Sequence, residues 1–430
     1  MTNLVARLVA IVGGLMILMR RWGADTAAPA IGTQPQIPKA KAQGIPTLKM
    51  PSARGWAPGQ VPTAAPGLKV NAFASGLDHP RWMEVLPNGD VLVAEAMFTP
   101  GGIQSAFDYA IYATMKRASA VGISANRITL LRDTNRDGVA ETQETFLSGL
   151  NQPFGMTLLG DQLYVANADA LLVYPFQPGP TKMTVAPRKL ASFKPGGHWT
   201  RSLLPNHDGS KIYIGVGSDT NIADNGMAAE DGRACIYEFT PATGELRSFA
   251  EGLRNPVGMA WEPASQTLWT VVNERDGLGD ETPPDYLTSV QDGAFYGWPY
   301  CYWDRIVDDR VPQDAAKVAA ALTPDYALGG HTASLGLCWM PEGTLPGFPD
   351  GMVIGQHGSW NRSTLSGYKV IFVPFKDGKP AGPSRDILSG FLAPDEKASY
   401  GRPVGCTLGP DGSLLVADDV GNVIWRVTGA

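Results

Sequence analysis

GLRNPVGMAWEPASQTLWTVVN, Gly252 to Asn273, reads as a loop, a short apolar strand, a turn and a second apolar strand. The same phrase recurs as GLDHPRWMEVLPNGDVLVAE from Gly76, GLNQPFGMTLLGDQLYVAN from Gly149 and GRPVGCTLGPDGSLLVADD from Gly401. Looser copies begin at Gly197 (GHWTRSLLPNHDGSKIYIGVGSD) and Leu335 (LGLCWMPEGTLPGFPDGMVIGQHG). Six copies starting about 50 to 85 residues apart suit four-stranded blades carrying insertions, so the expected fold is all-β, a six-bladed β-propeller over residues 67–430. A β-sandwich has no reason to repeat one strand-turn-strand phrase along the whole chain. Two segments interrupt the pattern, Gly101–Val121 and Pro312–Leu322, and read as short helical loop insertions capping one face.

Composition agrees. The chain has 430 residues with 44% hydrophobic content, enough for a large core, and its 50 glycines and 35 prolines imply many turns. A net charge of -6 gives no electrostatic footprint for nucleic acid or an anionic membrane surface. Leu8–Met19 is an apolar run after Arg7, followed by small residues from Ala24 to Ala30. Residues 1–24 are therefore expected to be a signal peptide or an N-terminal membrane anchor, which places the protein in the periplasm or outside the cell. Residues 25–66, rich in Ala, Pro and Gln, read as a flexible linker. Cys235, Cys301, Cys338 and Cys406 form no C-x-x-C pair, so a zinc site is not expected, while an exported chain has room for one or two disulfides.

In a propeller the residues before each inner strand gather at one mouth of the central channel. Those positions hold His79, Arg81, Asn151, Gln152, His198, Arg201, Arg254, Asn255 and Arg402; after the second strands come Glu95, Asp219, Asn221, Asn273, Glu274, His357, Asn361 and Arg362. Arginines in register suit a small polyanion, because a guanidinium pairs with carboxylate in bidentate geometry. Among the histidines, His198 is the first choice for a general base; His79, His331 and His357 are alternatives, and His207, in a turn, is expected to be merely exposed. The absence of G-x-G-x-x-G, Walker, H-E-x-x-H and G-x-S-x-G motifs removes nicotinamide-type Rossmann chemistry, phosphoryl transfer, zincin proteolysis and α/β-hydrolase chemistry.

DTNRDGVAETQE, Asp133–Glu144, fits the calcium-loop pattern D-x-[DN]-x-[DN]-G-x5-E, yet its flanks have strand-and-turn chemistry rather than EF-hand helices. Asp133, Asn135, Asp137, the Val139 carbonyl and Glu144 are the expected ligands of a structural calcium; the plainer reading is a solvated hairpin tip.

GLRNPVGMAWEP, NERDGLGDE, GAFYGWPYCYW and HGSWNRSTLSGYKV together resemble the pyrroloquinoline quinone (PQQ)-dependent sugar dehydrogenases, in particular their L-sorbosone dehydrogenase-like branch. The resemblance implies a quinoprotein that oxidises a sugar or sugar aldehyde with PQQ and Ca2+ and passes electrons to a carrier such as a quinone pool or cytochrome. It assigns His198 as base and Arg254 as the group polarising the quinone oxygen during hydride transfer. Asn151, Gln152, Arg201, Asp219, Asn255, Asn361, Arg362 and Arg402 become cofactor contacts, and Arg275, Asp276 and Asp280 the ligand region of a cofactor-site calcium. Glucose-oxidising members carry Asp-His where this chain has Gly197-His198, and Gly-Pro where it has Arg275-Asp276. A calcium-dependent propeller lactonase and a non-catalytic carbohydrate-binding propeller are the competing functions.

Overall fold

The computed structural model describes residues 29–43, 47–100 and 106–430. The expected signal peptide or anchor and the start of the first helical insertion, residues 101–105, lie outside them. The chain forms six antiparallel blades around one axis, their inner strands being Pro80–Val85, Met156–Leu159, Leu203–Pro205, Pro256–Glu262, Ser334–Met340 and Pro403–Leu408. Each inner strand falls within one of the six repeated phrases or directly abuts it. The last blade takes its outermost strand from the N-terminal side: Leu68–Ser75 pairs with Val423–Gly429, which ties the two ends of the propeller together.

The second strands explain why the repeats read as apolar runs rather than as alternation. Val91–Glu95, Ile212–Val216 and Leu414–Asp418 are buried at every position, because a blade is covered by neighbours on both faces. Outer strands such as Arg188–Ser192 are largely exposed. The glycine of the P-x-G phrase has a packing reason. A Cβ at Gly258 would lie 2.6 Å from the Leu337 nitrogen, and one at Gly405 would lie 2.7 Å from the Arg81 carbonyl, so successive inner strands approach backbone to backbone there.

The second insertion contains a helix, Ala315–Ala320, capped by Asp314, whose side chain accepts from the N–H groups of Ala316 and Lys317. In the first, the helix spans Ala106–Arg117. All four cysteines are free thiols, so neither of the disulfides an exported chain has room for is formed. The expected linker is not a free tether where it is described. Ile31–Gly32 adds to the edge strand Tyr326–Gly330, Ser52–Ala53 pairs in parallel with Ala398–Ser399, and Thr63–Ala64 extends the blade containing Arg385–Ser389. Between these strands the N–H groups of Lys41, Gln43 and Lys49 donate to the carbonyls of Leu278, Gly277 and Trp360, each at 2.8 Å. The Pro/Ala composition thus reflects extended backbone without regular structure, held by the loops it crosses.

Candidate functional site

Antiparallel order places the start of each inner strand and the end of each second strand at the same axial end. Two polar centres assemble there.

The first lies between the third, fourth and fifth blades. The His198 N–H donates to the Ser218 carbonyl at 3.0 Å, and its Nδ1 lies 2.9 Å from the same oxygen and 3.1 Å from Ser218 Oγ. A carbonyl oxygen only accepts, so Nδ1 carries the proton and Nε2 keeps its lone pair. Burial, reinforced by the Arg254 charge, lowers the imidazole to about 3 and keeps it neutral. Arg254 is itself buried and donates through Nε to the Asn221 carbonyl, through Nη1 to the carbonyls of Asn273 and Glu274, and through Nη2 to Asn221 Oδ1. Of its five N–H donors these contacts leave one. Asn221 in turn donates to the Asp276 carbonyl and accepts from the Asp276 N–H. The Asp276 carboxylate meets His331 Nδ1 at 3.1 Å; burial opposes both charges, but this bond holds Asp276 below and His331 above their ordinary values. Asn255 is buried beside His198 across Gly217, and its Oδ1 has no partner among the described residues.

The second centre joins the fifth, sixth and first blades. Asp419, fully buried, receives His357 Nε2 at 2.7 Å and His79 Nε2 at 3.2 Å on the same oxygen, together with Arg81. Arg402 donates through Nε to the His357 carbonyl and through Nη2 to that of Gly358, which leaves its Nη1 donors uncommitted among the described residues. His79 Nδ1 and Asp419 Oδ1 have no partner among the described residues. Asp419 was not singled out from sequence, although it follows a second strand just as Glu95 and Asn273 do.

Several expected contacts are placed elsewhere. Arg201 has no exposed surface and points beneath the His198 loop, so it is not a rim residue. Arg362 is committed to Glu281 and to the carbonyls of Asp280, Gly330 and Thr364. Asn361 is spent on structure: its Oδ1 accepts from the Gly277 N–H at 3.0 Å and its Nδ2 donates to the Thr47 carbonyl at 2.7 Å. Asn151 is exposed, and Gln152 reaches to Met97 and Asn126 of the first blade's loop. Asp219 lies against Gly197, next to His198, and accepts from Asn225. Tyr296 and Trp298 pack within the fold, through bonds to the carbonyls of Ser289 and Asn221, and His207 is exposed as expected.

The Arg275 and Asp276 carbonyls with nearby Asp280, expected to ligate a cofactor-site calcium, lie in a region with protein contacts of its own. Arg275 forms a buried pair with Asp308, the Asp276 carbonyl already accepts from Asn221 and from Arg275 Nε, and Asp280 turns to Ser363. In the 133–144 loop the last ligand is corrected: Glu144 lies in the strand Thr142–Leu147 and pairs with Lys182, whereas Asp133, Asp137 and Glu141 bring carboxylate oxygens within 4.8 Å of one another. The alternation of the strand turns Glu144 away from the loop. Asn135 bonds to Asp137, and Val139 is exposed and donates its N–H to Asp137.

The family model described as TrAA12-like matches residues 62–314 and 306–430. The chain belongs to the TrAA12-like family. A PQQ-dependent pyranose dehydrogenase of Coprinopsis cinerea is 27% identical over 290 residues, which is 54% of this TrAA12-like chain and 39% of that protein's length. The Trichoderma reesei family AA12 carbohydrate-active enzyme superposes with a TM-score of 0.71 at 19% identity, over 89% of this chain and 99% of that one. The holo form of the PQQ domain of the Coprinopsis cinerea pyranose dehydrogenase gives a TM-score of 0.68 at 21% identity, over 88% and 99%. At these identities the superpositions speak for the propeller fold of the TrAA12-like chain.

Proposed function

We propose that this chain is a PQQ-dependent dehydrogenase of sugars or sugar aldehydes, including the sorbosone type, with His198 as the general base. The observation that carries the reading is the mouth's complementary set of unused groups. Among the described residues Asn255 Oδ1 is a buried acceptor without a donor, while Arg254 and Arg402 retain N–H donors. A polyhydroxylated substrate supplies donors, and a tricarboxylate quinone supplies acceptors. The residues present therefore fit PQQ; Arg402 would hold a carboxylate, and Arg254 with Asn255 would flank the quinone edge. When bound, PQQ supplies an electron-accepting quinone.

His198 Nε2 is the lone-pair nitrogen that takes the proton of the substrate hydroxyl. Ser218 fixes the tautomer through Nδ1, and burial keeps the ring unprotonated at neutral pH. Arg254 holds a fixed positive charge on the quinone side, preorganised by Asn221 and the carbonyls of Asn273 and Glu274. Export to the periplasm, with an external carrier removing the electrons, is part of this reading.

The test is reconstitution: purified protein is mixed with PQQ, with and without calcium, and the quinone absorbance and dye reduction are followed as aldoses and osones are added. Binding followed by substrate-dependent bleaching supports the proposal; failure of PQQ to bind in either condition defeats it. His198→Ala should keep PQQ bound and lower turnover by roughly 100-fold or more, the scale of a lost general base.

A further inference from the structure

Two buried guanidinium groups lie behind the loop that ends in His198. Arg201 donates through Nη1 to the carbonyls of His198 at 2.7 Å and Thr200 at 2.8 Å, and through Nη2 to that of Lys194 at 3.1 Å. Arg233, which precedes the third strand of the same blade, donates through Nη2 to the carbonyls of Lys194 at 2.8 Å, Pro195 at 2.7 Å and Gly196 at 3.0 Å, and through Nη1 to Gly217 at 3.3 Å. Every carbonyl from Lys194 to His198 except that of Gly197 is thereby held by one arginine or the other. The loop has no regular structure of its own, and Gly196 and Gly197 both sit at positive φ, a backbone that would otherwise sample many conformations.

Burying cations is costly unless something specific is gained. The ion pair nearest Arg233 is Asp219 at 3.8 Å, and Arg201 has no ion pair among the described residues. Carbonyl dipoles of one short loop therefore do most of the solvating. A planar guanidinium spreads five donors over a fixed fork and so reaches oxygens along a stretch of backbone, whereas an ammonium gathers three donors on one compact centre.

We propose that Arg201 and Arg233 form a guanidinium clamp that sets the backbone of the His198 loop, and so are positioning residues for proton removal at His198 Nε2. This rests on the dehydrogenase reading above. The clamp also accounts for the Gly197-His198 pair: a Cβ at Gly197 would meet the backbone of Asp219, so the loop is pressed against the end of the neighbouring second strand while the arginines hold its other side.

The experiment uses the full chain with Arg201→Lys and Arg233→Lys, which keep the charge and lose the fork. Arg247→Lys, at an exposed pair with Asp292, is the control. In the cofactor-free protein, imidazole 15N spectra should show His198 as a single Nδ1–H tautomer in the wild type and the control, and as a mixture in both clamp variants, with faster amide exchange at residues 194–198. In the PQQ-loaded enzyme each clamp variant should lose about 10- to 100-fold in kcat, the cost of a misplaced reacting group, with KM within about two-fold of wild type. Wild-type kcat and a single tautomer in both variants would overturn the clamp, as would loss of the native near-UV spectrum in both, which would mark a global role. A wild type that takes up no PQQ defeats the dehydrogenase reading instead, and the clamp is then decided by the cofactor-free imidazole spectrum.

Discussion

His357 Nε2 lies 2.7 Å from Asp419 Oδ2, on a carboxylate that has no exposed surface and that His79 and Arg81 share. Burial pushes Asp419 up, but the His357 and His79 imidazoles and the Arg81 guanidinium bring it well below the usual carboxylate range. The strands that start at Pro80 and Pro403 and the one that ends at Gln356 all meet at this one charge. Replacing it leaves Arg81 buried without its partner. Asp419→Asn is expected to lower unfolding free energy by roughly 3 kcal/mol in urea at pH 7. A loss below about 1 kcal/mol would mean that solvent already screens the cluster.

Stability should respond to pH in two regimes. Burial lowers His79 to about 4 and His198 and His357 to about 3, so unfolding takes up their protons below pH ~6.5 and they favour unfolding as pH falls. Burial raises Glu84 and Glu274 to about 7 and Asp418 to about 6; these are neutral in the fold and ionise on unfolding, so they favour unfolding as pH rises. Between about pH 4.5 and 6.5 the two sets oppose each other. Below that the three lowered histidines act, joined by Asp276 and Asp419, whose stabilisation is lost as they protonate. The thermal midpoint is expected to be nearly flat from pH 6.5 to 4.5 and to fall steeply below, measured in one buffer series. A uniform decline starting at pH 6.5 would contradict the assignment of the raised carboxyls.

Asn361 joins three segments: its own loop, the Thr47 carbonyl of the N-terminal strap and the Gly277 N–H of the loop that carries Asp276. Asn361→Ala removes two buried hydrogen bonds and leaves both backbone partners unmet. It should cost about 2 kcal/mol and weaken PQQ retention, because the loop bearing Asp276 loses its brace. Unchanged stability with lost PQQ binding would return Asn361 to the role of a direct cofactor contact.

The loop of Asp133, Asp137 and Glu141 is expected to hold calcium as a structural ion. Calcium at a hundred-fold excess over Kd should stabilise the protein by about 2.7 kcal/mol. Asp133→Asn with Asp137→Asn should abolish that gain while leaving turnover intact, and Glu144→Gln should not. A midpoint that ignores calcium in the wild type leaves the loop as a solvated turn.

Blade number, the cylindrical order of the strands and the end at which polar residues gather were legible in the sequence, because each depends on local patterns. An apolar second strand recurs at every blade, and a glycine where inner-strand backbones touch recurs in four of them, at Gly155, Gly258, Gly336 and Gly405. The resemblance carried by GLRNPVG and SWNR pointed to the same family. What the repeats could not say is which polar side chain turns toward the channel and which turns inward. Arg201 and Arg254 stand at comparable places in their blades, yet one is sealed beneath a loop and the other retains a donor at the mouth. That difference is set by carbonyls of segments distant in the chain, brought into reach only when the blades close into a ring. Asp419, the strap and the Glu141 ligand escaped for the same reason: strand alternation and contacts between blades decide the partner of a buried charge, and neither is written at the charge's own position.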